Sequence, residues 1–113
     1  MHQDRQPIQD LVVMWKIPHT TIAEISSVHR SEVSRYINDQ TVSTNDRVRI
    51  EQTVREIAEF VSIFQGQTGM RPDLSDISNL RVGIEAVREW RTEQQIKQDV
   101  AEAAQMFTQG GAQ

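Results

Sequence analysis

The chain has 113 residues, no cysteine and a formal net charge of −4, which bounds it as one small domain or a small domain with an appendage. A chain this long buries roughly two thirds of its unfolded surface, enough for one core without disulfides, and thiolate metal sites are excluded. No apolar run approaches the ~20 residues of a membrane span, and MHQDRQPIQD lacks a signal peptide's basic and apolar regions, so the expected location is cytoplasmic.

Charge is unevenly spread. Residues 16–55 carry six basic and five acidic groups, whereas residues 56–113 carry five and nine. The negative excess therefore lies in the C-terminal half, which leaves the N-terminal half electrostatically able to face DNA.

Pro7 suits the first turn of a helix, where its missing donor costs nothing. Ile8, Leu11, Val12 and Trp15 then follow at i, i+3, i+4 and i+7, predicting a helix over 7–16 that ends at Ile17-Pro18. Thr20 or Thr21 is the expected cap of a second helix running to about Ser26, with Glu24 spaced for a capping box with Thr21. Ser26-Ser27-Val28 breaks the apolar period, and Val33, Tyr36 and Ile37 restart it in a third helix from His29 or Arg30 to Asn38. Ser43 to Asp46 offer caps for a fourth helix, whose seam of Ile50, Val54, Ile57, Val61 and Phe64 is spaced 4, 3, 4, 3. Gly66, Gly69 and Pro72 are expected to end it near Gln65 and to mark a boundary between residues 1–65 and 66–113. A further helix starting at Asp73 or Ser75 carries Ile77, Leu80, Ile84 and Val87. The apolar pattern continues out of phase through Trp90, Ile96, Val100, Ala103 and Phe107, with a bend or a second helix at Gln94-Gln95. With no strand-period run, the fold class is all-α: a helix-turn-helix bundle of four helices plus a C-terminal helical segment.

The stretch Thr20–Asn38 resembles the lambda-repressor-like DNA-binding domains. Ile22-Ala23-Glu24 through Val28 and Val33-Ser34-Arg35-Tyr36-Ile37-Asn38, with Val42-Ser43 and Arg47-Val48-Arg49-Ile50-Glu51 downstream, are similar to the lactose-repressor headpiece. A helix preceding the motif is more like the phage-repressor type. The resemblance covers about residues 7–64 and implies that the third helix enters the major groove of double-stranded DNA. Ser27 stands at the turn position usually held by glycine, and a positive φ there costs on the order of 1 kcal/mol. The roughly 50 residues after the motif are too few for the sugar-binding domain of lactose repressors, so no small-molecule effector is expected, and no cofactor.

By that pattern Arg30, Ser31 and Arg35 fall on the groove-facing surface, and Ser34 meets phosphate. An arginine fork matches the acceptor pair on guanine, worth about 1–3 kcal/mol of discrimination; the competing account is a solvated surface arginine. Glu32 either accepts from a cytosine amino group or pairs with Arg35 at i+3, and the pair is the favoured reading. Thr20, Thr21 and the start of the second helix are phosphate candidates or simple caps. His29 is a phosphate contact or a solvated turn residue, and Arg47 and Arg49 are backbone contacts or helix-surface charges. Trp15 and Tyr36 are assigned to the core. Ile84, Val87, Trp90, Val100 and Phe107 are assigned to oligomerisation, as a homodimer, against the alternative of an intrachain hairpin.

An enzyme is not expected: His2, His19 and His29 lack metal spacing and there is no glycine-rich phosphate loop. The reading is a DNA-binding transcriptional regulator, a repressor of phage or prophage type. Its rivals are a packaging protein like a phage small terminase, forming a ring, and a protein-interaction module whose DNA binding has lapsed.

Overall fold

The computed structural model describes residues 7–111 of the chain, with side chains to 107; the N-terminal hexapeptide used for the signal-peptide expectation lies outside them. Five helices and no strand are present among the described residues: α1 (Ile8–Trp15), α2 (His19–Ser26), α3 (Arg30–Ile37), α4 (Thr44–Thr68) and α5 (Ile77–Gly111). None is long and apolar enough to cross a membrane.

The α4 seam is the centre of the packing. Ile50, Val54, Ile57 and Val61 have no exposed surface, and α1, α2, α3 and α5 all pack against this helix. Ile8 and Val12 reach the core from α1, Ile22 from α2, and Val33 and Tyr36 from α3, with Leu11 and Trp15 half-buried at the edge. The side chain of Ser43 caps α4 by accepting the Asp46 N–H at 3.1 Å.

Local geometry corrects several boundaries. Lys16 takes the left-handed conformation and ends α1, and α2 begins at once from Pro18, so Thr20 and Thr21 lie inside its first turn instead of capping it. Gly66 does not stop α4. A glycine inside a helix costs only about 1 kcal/mol, and the chain turns at Gly69, whose φ of 72° supplies the left-handed ending. α5 starts later than Asp73 or Ser75. The Asp73 carboxylate is taken by the Ser75 N–H and hydroxyl, and Asp76 accepts from Asn79 at the helix start. From there α5 is one uninterrupted helix, with no break at Gln94-Gln95.

The division at residue 65 has no counterpart in the packing. Leu74, Leu80 and Ile84 are buried in the same core as α1 to α4. Ile84, assigned by its spacing to oligomerisation, is a core residue because the N-terminal third of α5 lies on α4 and α2. Gly83 allows that approach: a Cβ there would come within 2.3 Å of the Phe60 ring. Glu56, buried on α4, takes a two-pronged contact from the Arg88 guanidinium at 2.6 and 2.7 Å, and Arg91 pairs with Glu59 one turn on.

The Arg88 hydrogen bonds hold the Glu56 carboxyl below its ordinary value of 4.5, against the opposing effect of burial. A carboxylate depressed on folding contributes stability that is full above its unfolded value and is lost as pH falls through the folded one. Urea midpoints should therefore drop below about pH 4.5 in the parent, and Arg88→Met should flatten part of that acid limb. At neutral pH the same substitution should cost about 1–2 kcal/mol, less than for a fully buried pair because Arg88 is half exposed.

Candidate nucleic-acid interface

The α2–α3 turn is fixed by its own polar groups. Ser27 adopts φ 60° and ψ 34°, the left-handed region its place in the motif requires. The Val28 N–H donates to the Ser26 hydroxyl oxygen at 3.3 Å, and the Val28 side chain is buried beneath the turn. His29 then caps α3. Its Nδ1 accepts the Ser31 N–H at 3.1 Å and the Ser31 hydroxyl at 2.8 Å, which leaves the ring proton on Nε2.

α3 therefore presents one apolar and one polar face. Val33 and Tyr36 are buried while Arg30, Ser31 and Arg35 face outward and Ser34 is half-buried. Arg30, at the first position of the helix, makes no ion pair or hydrogen bond among the described residues. Arg35 is already engaged: it donates to the Thr41 carbonyl at 3.1 Å and lies 3.9 Å from Glu32, the i+3 pair favoured from spacing. Its guanidinium braces the loop to α4, where Asp39 holds a positive φ of 62°. Ser34 lies 3.4 Å from His19 Nδ1, which joins α3 to the start of α2.

Thr20 is exposed at that start. Thr21 is not: it is 1% exposed, and its hydroxyl donates to the Leu74 carbonyl at 2.7 Å. The assignment of the Thr21 side chain to DNA is therefore corrected; it ties α2 to the segment before α5. Arg47 is exposed in the first turn of α4 and forms no ion pair among the described residues, as is Arg49 beside it. Behind them the Tyr36 hydroxyl donates to Glu51 at 2.7 Å, and burial followed by that carboxylate holds the phenol above its ordinary range.

Two further arginines border the turn and the end of α1. Arg81 reaches from α5 to donate to the Glu24 carbonyl at 2.9 Å, and with Thr20, Ser27 and Arg30 it borders a shallow depression beside the turn. Arg71 donates to the Trp15 and Lys16 carbonyls, closing the end of α1. Neither has a local signal, because each partner lies more than fifty residues away.

Of the residues assigned to oligomerisation, Val87 is half-buried and Trp90, Val100 and Phe107 are exposed. Trp90 edges an apolar cleft of about 460 Å³ between α4 and α5, opposite Phe60 and Phe64. Comparison with protein-family models, curated proteins and solved structures found no match.

Thr21 and Ser27 separate by experiment. Thr21→Val leaves the buried Leu74 carbonyl without its donor and should lower unfolding free energy by ~1–2 kcal/mol. Ser27→Gly relieves the left-handed strain and should raise it by roughly 1 kcal/mol, several degrees in Tm. Thermal and urea unfolding measure both.

Proposed function

We propose that the chain is a sequence-specific DNA-binding regulator that reads the major groove with α3 and acts as a repressor by occupying its site. The observation that carries this reading is the outer face of α3. A capped helix of a helix-turn-helix projects an arginine with no partner among the described residues, a serine and a second arginine from a helix whose opposite side is buried.

The parts divide by role. Arg30 is at the helix tip with its guanidinium unengaged among the described residues, so it is the residue available for a bidentate contact to guanine. Arg35 already holds the Thr41 carbonyl, so its contribution is to the shape of the loop and to nearby phosphate. Thr20 and the unpaired N–H groups of the first turn of α2 suit a phosphate oxygen, since helix N-termini favour anions. Arg47 lies on the next helix and matches the adjoining backbone. With an overall charge of −4, the chain's net charge does not drive DNA binding, so the affinity is assigned to these local basic groups.

Selection from random duplexes followed by binding measured across a salt series tests the reading. Arg30→Ala should weaken binding to the selected site by ~1–3 kcal/mol and relax preference at one base pair, while Arg47→Ala should weaken all sequences alike and flatten the salt slope by about one. Failure to retain any duplex at low salt would overturn it.

A further inference from the structure

The start of α5 brings a cation to the edge of the helix-turn-helix. Leu80 and Ile84 are buried in the core where α5 packs on α4 and α2, and Arg81, next to Leu80, is exposed beside the last turn of α2. Its Nη2 donates to the Glu24 carbonyl at 2.9 Å. That carbonyl is one of those a helix end leaves without an intrahelical partner. The bond holds the guanidinium in place yet spends only one of its several N–H donors. Arg81 makes no other hydrogen bond and no ion pair among the described residues, and Glu85, one turn on, is taken by Arg88 at 3.3 Å. Arg81 and Arg30 share the rim of the depression beside the turn, about 620 Å³ in volume, with Thr20, Ser27 and His29. Its lining holds these two arginines and one carboxylate, Glu24, so its charge is positive.

We propose that Arg81 is a DNA-phosphate contact, gripping a backbone phosphate beside the point where the tip of α3 enters the major groove. The contact rests on the DNA-binding reading and extends its surface to a helix outside the motif. Two guanidinium groups on one rim repel each other, and an anion seated between them turns that repulsion into attraction. The major groove is about 12 Å wide, and a helix with its side chains is about 10–12 Å across. A cation flanking the tip of an inserted helix therefore meets the phosphate wall, while the tip itself, at Arg30, meets the base edges. A tethered arginine suits that wall, because its remaining N–H groups match phosphate oxygens in pairs. The competing account is that Arg81 only closes the end of α2, where the carbonyl end of a helix attracts a cation.

Charge separates the two accounts. Arg81→Gln keeps an N–H donor for the Glu24 carbonyl and removes the cation, whereas Arg81→Lys keeps the cation. Both are measured on a duplex selected with the parent chain and on a random one, across a salt series, with urea unfolding alongside. Arg81→Gln should lower the slope of log affinity against log salt by about one and weaken both duplexes by the same factor, roughly eightfold at about 0.1 M salt. Its urea midpoint should stay at the parent value, and Arg81→Lys should keep the parent slope. Ethylation of single phosphates then locates the contact: one phosphate whose ethylation weakens the parent should have no effect on Arg81→Gln. A parent slope and a parent ethylation pattern in Arg81→Gln overturn the contact and leave the DNA reading standing. A lowered urea midpoint with equal loss of binding in Arg81→Gln and Arg81→Lys makes Arg81 a positioning residue for α2 and overturns it as well. Retention of no duplex by the parent at low salt removes the contact and the DNA reading together.

Discussion

The fold depends on one seam. Ile50, Val54, Ile57 and Val61 on α4 are completely buried, and every other helix is positioned by contact with that helix. Burial of such a side chain is worth roughly 1.5–3 kcal/mol, so four in a row on one helix form the scaffold on which short helices can be held. α1, α2 and α3 have eight residues each, too few to persist alone in water. The orientation of α3, and hence of Arg30, Ser31 and Arg35, follows from Val33 and Tyr36 being drawn onto α4.

Polar ties refine what the seam begins, and most of the long ones run backward from the second half of the chain. Arg71 closes the end of α1, the Leu74 carbonyl receives Thr21, Arg81 reaches Glu24, and Arg88 holds the buried Glu56. Segment 66–88 is therefore part of the machinery that holds α2 beside α3. Only the portion of α5 past Arg88 stands outside the core.

Helical periodicity makes the architecture legible: the stripe of α1, the break at Ser26-Ser27 and the 4, 3, 4, 3 seam of α4 each match a helix or turn of the fold. The left-handed φ at Ser27 was legible too, from its place in the motif. Cap positions were less so, since Pro18 and Asp76 serve where Thr20, Thr21 or Asp73 have equal local credentials. Least visible were the side chain-to-carbonyl ties. Thr21 reads as a surface cap until Leu74 arrives from fifty-three residues away, and the tie of Arg35 to the Thr41 carbonyl has no sign in the spacing that pairs it with Glu32. A pattern of neighbours cannot announce a partner that only the folded chain supplies.

The unbroken run of α5 has a mechanical consequence. Between Gly83 and Gly110 there is neither glycine nor proline, so the arm transmits both distance and azimuth from the core to its far end. Each residue added to it would lengthen the reach by ~1.5 Å and swing the distal face by about 100°. Lengthening by a single residue is thus chiefly a rotation, and lengthening by seven is nearly pure translation of ~10 Å. Whatever engages the far end of α5 senses the helix as a phased ruler, tolerant of whole heptads and intolerant of the steps between them.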